Sequence, residues 1–245
     1  MSTVFDCRDD SQILAGMRHA RQAIARGELV VLPTDTVYGL AADAFTPAAV
    51  QRLLDAKGRG REMPPPVLVA GPDVLAALVE EVPEAVQKLV DAFWPGGLTI
   101  VLPAQPSLTW DLGETLGTVA VRMPDHRIAL ELLAETGPLA VSSANLTGRD
   151  AAVIASDAEA MLGESVAVYL EYGYSENGVP STIVDATSLV GATEDDRPLV
   201  RILRDGAVTR EQLEEVLGDL LEKAEQPGDV VPADAAAGEG PVDEE

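Results

Sequence analysis

The sequence predicts an α/β fold of the α+β type, with one twisted, mixed β-sheet flanked by helices. About seven short runs rich in Val, Ile and Leu have the pattern of strands. Helical segments lie between most of these runs, but several strands follow one another directly, which favours a mixed sheet over a strictly alternating parallel one. The chain has 245 residues and is 47% hydrophobic, which allows one sizeable aliphatic core.

The first half of the chain is divided by glycine and proline. Gly27 ends an amphipathic helix, and Thr46 is placed as the N-cap of a second helix that begins at Pro47. Gly58 is the natural terminator of that second helix. The predicted elements are a helix over 11–26, a strand over 28–32, a helix from Pro47 to about Ala56, a strand over 67–70, two short helices begun by Pro72 and Pro83, and a strand over 98–102.

The second half continues with strands and capped helices. Asp125 is placed to cap one helix, and Thr209 with Gln212 forms a capping box for the last one. Val208 and Leu213 are spaced for a hydrophobic staple. The predicted elements are strands over 118–121, 139–142, 166–170, 181–185 and 199–203, and helices over 127–136, 156–162 and from 209 to about 224.

Residues 1–224 are therefore predicted to form one domain, and residues 225–245 an acidic tail rich in Pro, Gly and Ala. The tail carries seven acids and no base. Its composition predicts disorder.

Charge excludes one class of function. The net charge is −24, from 41 acids and 17 bases, and removing the seven tail acids leaves 34 acids against the same 17 bases. A body this acidic repels phosphate backbones at long range, so broad non-specific binding to nucleic acid is not expected. A bound phosphate needs a local pocket of positive charge.

Cysteine and hydropathy patterns indicate a cytoplasmic protein. Cys7 is the single cysteine, and no Cys/His cluster has zinc spacing. The N-terminus carries Asp6, Asp9 and Asp10 rather than a basic and then apolar signal segment. No apolar run reaches the length of a membrane helix.

The stretch from Val30 to Phe45 and the cations behind it form the first candidate site. A buried apolar run ends at Pro33 and is followed by a row of Thr, Asp and Thr. Lys57 and Arg59 lie two residues apart past a helix end, where arginine offers a forked contact and lysine a point charge to one anion, such as a triphosphate. The alternative is that these cations only complement the helix dipole.

Three further groups of polar residues stand at strand ends. Ser142-Ser143-Ala144-Asn145 directly follows a strand, where sheet proteins often bind ligands, although Ser and Asn also favour plain turns. Arg122 ends another strand, and its guanidinium could bind a carboxylate or phosphate ligand. The alternative is that it forms an ion pair on the protein surface. Ser181-Thr182 and Arg204 are equally consistent with a turn hydroxyl and a surface charge. The spacing of Asp35 and Asp43 does not single them out as an acid/base pair.

Together these groups predict a site that binds a nucleotide and a small acid and aligns them. The Rossmann and Walker fingerprints are absent, and no nucleophile triad or metal cluster is evident. Catalysis in such a site comes from positioning and charge neutralisation.

Seven motifs occur in the order seen in the YrdC-like family, the threonylcarbamoyl-AMP synthases of tRNA modification. They are PTDTVYGLAADAF, AKGRGR, FWPGGLTIVL, TVAVRMPDH, SSANLTG, STIVD and ILRDG, and the resemblance covers roughly residues 23–216. One such motif is weak evidence, whereas seven in order are highly specific.

The resemblance implies the YrdC fold, a twisted mixed sheet with helices around a large concave cavity, in a nucleotidyltransferase. It also implies synthesis of L-threonylcarbamoyladenylate from L-threonine, bicarbonate or CO2 and ATP, with release of pyrophosphate. Mg²⁺ is expected on the ATP phosphates, with no metal held by the protein and no organic cofactor. The product would feed a separate transferase complex that makes N6-threonylcarbamoyladenosine in tRNA.

Site roles follow from the same resemblance. The Lys-x-Arg and Ser-x-Asn signature falls on Lys57, Arg59, Ser143 and Asn145, which would surround the ATP phosphates as catalytic and ATP-binding residues. The further ATP contacts implied are Thr118 and Arg204. The L-threonine contacts implied are Thr36, Arg122 on the carboxylate, Val141 through its backbone, and Ser181.

Some positions depart from the family pattern. Asp35 stands where Glu is usual, Gly60 replaces a proline, and Ala70 falls where many members have a histidine that touches threonine. The additional C-terminal domain of longer relatives has no counterpart in this sequence. Two alternatives stay open: a non-catalytic RNA-binding module of the same fold, and a carbamoyl-transfer enzyme that uses the same cavity. For the synthase itself, a weak contact with tRNA or other RNA is also left open.

Overall fold

A ten-stranded mixed sheet runs through the computed structural model, which describes residues 2–193 and 196–224. The predicted tail at 225–245 lies outside the described residues. The strands are β1 Thr3–Asp6, β2 Val30–Leu32, β3 Gly39–Asp43, β4 Val67–Leu68, β5 Leu98–Pro103, β6 Thr118–Arg122, β7 Leu139–Ser143, β8 Val168–Glu171, β9 Thr182–Asp185 and β10 Arg201–Arg204.

Seven α-helices accompany these strands in the described ranges. They are α1 Asp10–Ala25, α2 Pro47–Lys57, α3 Leu75–Leu78, α4 Glu84–Phe93, α5 Arg127–Thr136, α6 Ala155–Leu162 and α7 Arg210–Leu217. In residues 2–193 and 196–224, no helix is both long and apolar enough to cross a membrane.

The strand order is β1-β8-β2-β3-β7-β4-β6-β5-β9-β10. Four neighbouring pairs are parallel, namely β1 with β8, β2 with β8, β4 with β6, and β5 with β9, and the others are antiparallel. The predicted mixed sheet is therefore confirmed, but it has ten strands rather than about seven.

Two of the strands, β1 and β3, were not predicted from the sequence. The β3 segment is GLAAD, and glycine and alanine have low strand propensity. It forms a strand because it pairs with β2 on one side and β7 on the other, where small buried residues fit between two helical layers. Tertiary pairing overrides local propensity here.

Helix ends match the expectations in part. Gly58 ends α2 in the left-handed conformation, and α7 has the predicted capping box between Thr209 and Gln212. Two predictions were wrong. Asp125 does not cap α5, whose N-cap is His126, and α7 ends at Leu217 rather than near residue 224 because Gly218 turns the backbone to a φ of 54°.

The two halves of the sheet are covered differently. On the half formed by β2, β3 and β8, α1 and α5 pack on one face and α2 and α6 on the other. On the half formed by β5, β6 and β9, α4 and α7 pack on one face. The opposite face of that second half is the floor of a cavity.

Candidate active site

The cavity has a volume of about 430 Å³, within the usual range of small-molecule sites. Residues of β5, β6, β7 and β9 form its floor. On β6, Thr118, Ala120 and Arg122 belong to the cavity face, while Val121 is fully buried in the opposite core. Val119 borders both the cavity and that core, so the alternation of TVAVR separates site from core only in part.

Asp35 and Arg122 form a buried ion pair at the inner end of the cavity. Each residue is 6% exposed, and Arg122 Nη2 donates to Asp35 Oδ1 at 2.5 Å. Arg122 Nε donates to the Gly96 carbonyl at 2.8 Å and Nη1 to Thr36 Oγ1 at 2.9 Å. Burial lowers the pKa of Arg122, and the Asp35 carboxylate opposes that shift. The alternative of a surface ion pair for Arg122 is therefore wrong: the pair with Asp35 is buried, and Arg122 lines the cavity.

Hydroxyl groups complete the inner end. Thr36 Oγ1 lies 3.0 Å from Thr34 Oγ1, which in turn donates to the Val37 carbonyl at 2.6 Å. Ser181 Oγ lies 2.8 Å from Thr99 Oγ1. The structure brings the predicted residues Thr36, Arg122 and Ser181 to one cavity.

Arg59 reaches the cavity from the turn after α2. Gly58 adopts a φ of 60°, which turns the chain so that Arg59 N donates to the Leu54 carbonyl at 2.9 Å. Its Nη1 donates to Ser142 Oγ at 2.8 Å, and its Nε is buried without an acceptor among the described residues. Burial lowers the pKa of Arg59, and the negative charge of Glu62 partly opposes that shift.

Lys57 is buried behind the cavity wall rather than in it. Its Nζ donates to the Ser143 carbonyl and, at 2.7 Å, to the Asn145 carbonyl, with Asn145 Oδ1 at 3.4 Å. These three acceptors match the three N–H groups of an ammonium. Burial, and to a smaller extent Arg59, lowers the pKa of Lys57 to about 8. Lys57 therefore braces the chain after β7 and is not among the lining residues.

Asn145 also supports its own turn. Its Nδ2 donates to the Leu146 and Arg149 carbonyls, each at 2.8 Å. This is the turn role that the sequence left open for Asn145. Ser143, by contrast, is half-buried and lines the cavity. The signature residues thus divide into two that face the cavity, Arg59 and Ser143, and two that hold the wall.

Thr118 is half-buried and Arg204 is exposed, and these two lining residues define what we call the outer end of the cavity. Thr118 Oγ1 donates to the Thr115 carbonyl at 2.8 Å. A register shift in β10 places Arg204 opposite Ile183 of β9, and therefore on the cavity face. Arg204 Nη2 donates to the Ser181 carbonyl at 2.7 Å. Burial lowers the pKa of Arg204, and so does the neighbouring charge of Arg59.

Two backbone positions need separate mention. Val141 lines the cavity, but its N–H donates to the Pro66 carbonyl at 2.8 Å, so a backbone contact to ligand would use its carbonyl. A Cβ at Gly39 would lie 2.6 Å from Val141 Cγ1, so glycine permits this packing. Ala70 packs against the α1–α5 core instead of lining the cavity.

Sequence reasoning missed several lining residues. A Thr in an otherwise aliphatic buried strand was an available signal for Thr99, and Thr34 stood beside the recognised Thr36. The proline-rich connector at 64–66 forms one wall, together with Glu114 and Leu203. No local pattern marks these last residues, since folding alone brings them to the cavity.

Charge gives the cavity a distinct chemistry. Arg59, Arg122 and Arg204 all line it, and Glu114 is the one acid among the lining residues in the described part of the chain. Of these three arginines, Arg122 is the one whose charge is neutralised by Asp35. Across the described ranges, no group of three or more His, Cys, Asp or Glu residues is placed to hold a metal ion. The site is therefore suited to an anionic ligand.

Comparison with known proteins gives a consistent result. The family described as "Telomere recombination" (Sua5_yciO_yrdC) matches residues 22–206. A Mycobacterium tuberculosis protein named "Putative threonylcarbamoyl-AMP synthase" is 51% identical over 218 residues, which cover 89% of this chain and 96% of that protein. The "Threonylcarbamoyl-AMP synthase" of Bacillus subtilis is 38% identical over 203 residues, which cover 82% of this chain and 56% of that protein.

A solved structure agrees with both relatives. "Crystal structure of P. abyssi Sua5 complexed with L-threonine" matches with a TM-score of 0.75 and 36% identity, and the match covers 84% of this chain and 58% of that one.

Proposed function

The chain belongs to the Sua5/YciO/YrdC family, and we propose that it synthesises L-threonylcarbamoyl-AMP from L-threonine, bicarbonate and ATP with release of pyrophosphate. The names of relatives that are 51% and 38% identical support this activity. The structural observation that carries it is one cavity with two kinds of arginine. Arg122 at the inner end is paired with Asp35, whereas Arg59 and Arg204 at the outer end form no ion pair within residues 2–193 and 196–224.

The inner end is suited to an amino acid. Of the five N–H groups of Arg122, three donate to Asp35, Thr36 and the Gly96 carbonyl. One N–H therefore remains on each terminal nitrogen for a carboxylate, and Ser181 adds a hydroxyl. The related Sua5 from P. abyssi was crystallised with L-threonine. We assign Thr36, Arg122, Ser181 and the Val141 carbonyl to L-threonine.

The outer end is suited to the phosphates of MgATP. Arg59 and Arg204 supply charge, and Thr118 and Ser143 supply hydroxyls. Since the lining holds no carboxylate cluster, Mg²⁺ would arrive with the nucleotide and stay on its phosphates. Lys57 and Asn145 contribute by fixing the main chain that carries Ser143.

The reaction is an attack on the α-phosphorus. CO2 derived from bicarbonate combines with the amine of threonine, which loses a proton and becomes a carbamate. A carbamate oxygen then bonds to the α-phosphorus as the bond to the β-phosphate oxygen breaks, and pyrophosphate leaves with the electron pair. The cationic cavity aligns the reactants and offsets the developing charge. The product would then pass to a transferase that acts on tRNA.

Pyrophosphate release tests the proposal. Purified protein with MgATP is assayed with and without L-threonine and bicarbonate, and the adenylate product is identified by mass spectrometry. Release that requires both co-substrates is expected. Release that ignores them, or tight ATP-independent binding of tRNA without any release, would contradict the synthase assignment and favour the RNA-binding alternative.

A further inference from the structure

Two buried hydroxyl groups meet in the cavity wall. Thr99 lies on β5 and is 0% exposed, while Ser181 directly precedes β9 and is 6% exposed. Their oxygens are 2.8 Å apart. The parallel pairing of β5 with β9 and a hydrogen bond of 2.9 Å from Thr182 N to the Gly97 carbonyl fix the two main chains. The distance between the hydroxyls is therefore set by the sheet.

The direction of this hydrogen bond follows from the neighbouring groups. Ser181 Oγ is the one hydrogen-bond partner of the Thr99 hydroxyl in the described ranges. A buried hydroxyl proton without an acceptor is unfavourable, so Thr99 donates to Ser181. Arg204 Nη2, which has no acceptor lone pair, also donates to Ser181 Oγ, at 3.1 Å.

Both lone pairs of the Ser181 oxygen are consequently occupied. A serine hydroxyl has one proton and two lone pairs, so its proton alone remains for the cavity that Ser181 lines. Ser181 can then only donate to a ligand. Thr99 borders the cavity but has no exposed surface, so it acts on the ligand through Ser181.

We propose that Thr99 is a positioning residue that fixes the Ser181 hydroxyl as a hydrogen-bond donor to an acceptor oxygen of the amino-acid substrate. This assignment rests on the proposed synthase function and deepens it. It also explains why a threonine stands in the buried strand LTIVL: its hydroxyl donates to the Ser181 oxygen, which also accepts a hydrogen bond from Arg204.

Thr182 provides a matched control. It is also 0% exposed and neighbours Ser181, but its hydroxyl donates to the Val208 carbonyl at 2.5 Å and accepts from Val208 N at 3.0 Å. Its role is to join β9 to the start of α7. Loss of that hydroxyl should affect folding and not the recognition of substrate.

The experiment compares Thr99→Val, Thr99→Ser and Thr182→Val with the wild-type protein. Steady-state pyrophosphate release gives kcat and the KM values for L-threonine and ATP, and thermal unfolding gives Tm. Thr99→Val should raise the KM for L-threonine about fivefold to tenfold and change kcat less than about twofold. Thr99→Ser should restore the KM, and Thr182→Val should lower Tm with the threonine KM unchanged.

Each contrary result has its own meaning. A normal threonine KM in active Thr99→Val, or an equal rise in Thr182→Val, would overturn the role of Thr99 while leaving the synthase assignment intact. Absence of threonine-dependent release in the wild-type protein would instead overturn the synthase assignment, and the role of Thr99 with it.

Discussion

The inner and outer ends of the cavity differ in how far their charges are satisfied before any ligand binds. At the inner end, Arg122 is buried and paired with Asp35 at 2.5 Å. At the outer end, Arg59 donates to the Ser142 hydroxyl and Arg204 to the carbonyl and the hydroxyl of Ser181, and burial lowers the pKa of each arginine. The inner end is therefore preorganised, while the outer end is stabilised when an anion arrives.

This difference predicts that substitutions at the two ends will fail in different ways. Changes at the inner end should reduce stability and activity together, because a buried charge loses its partner. Changes at the outer end should reduce activity and leave stability nearly unchanged. Removing Arg59 or Arg204 removes a ligand contact, but it also removes the repulsion between these two cations, which destabilises the fold.

Arg122→Ala should have the largest effect. It leaves Asp35 buried without its cation, which lowers the free energy of unfolding by about 3–5 kcal/mol, and it removes the carboxylate contact of L-threonine. Chemical denaturation and pyrophosphate release measure the two losses.

The double variant with Asp35→Asn and Arg122→Met separates the loss of stability from the loss of substrate binding. It should recover most of the stability, because no buried charge remains, but none of the turnover. Turnover in the double variant would show that Arg122 is not required for the substrate.

Arg59→Ala should come next. It should lower turnover about 100-fold or more, since a phosphate contact in a shielded site is lost, and leave the free energy of unfolding nearly unchanged. The measurement is kcat/KM for ATP beside a denaturation curve. Wild-type turnover in Arg59→Ala would show that Arg59 does not bind the nucleotide. A large loss of stability in this variant would contradict the proposed difference between the two ends of the cavity.

Lys57 should give a smaller and pH-dependent effect. Its pKa is lowered to about 8, against 10.5 for the unfolded chain. Between pH 8 and 10.5 the Lys57 amine is protonated in the unfolded state and largely neutral in the folded state. The free energy of unfolding therefore rises with pH across this range, and the contribution of Lys57 to it is least favourable below pH 8. A neutral amine has only two N–H groups for three acceptors, so turnover should fall as pH increases through about 8.

Lys57→Met provides the comparison for that profile. Its turnover should be about tenfold lower below pH 8, owing to lost charge-assisted hydrogen bonds, and should lack the decline near pH 8. If the turnover of Lys57→Met also declined near pH 8, the decline in the wild-type protein would be due to another titrating group.

Arg61→Ala should have the smallest effect and serves as the control for Arg59. Arg61 pairs with Asp111 at 2.6 Å, and the two side chains are 43% and 45% exposed. Such pairs contribute about 0–1 kcal/mol, so unfolding and turnover should both stay near wild-type values. A loss of turnover comparable to that of Arg59→Ala would mean that charge near α2, rather than the placement of Arg59, supports activity.

Local sequence determined much of this protein. Apolar spacing located α1 closely, and helix breakers and capping residues located α5 and the start of α7, although α7 ends at Leu217. The strand ends also carried the residues that line the cavity, including Arg122 and Ser181. These signals depend on residues close together in sequence, so they can be recognised without knowledge of the fold.

Tertiary structure alone decided the rest. It made GLAAD a strand by pairing it on both sides, brought Asp35 to Arg122 across 87 positions of sequence, and turned Lys57 inward onto Asn145 while Arg59 reached the cavity. The physical reason is that a charged side chain is defined by its burial and its partners, and both depend on segments far away in the chain.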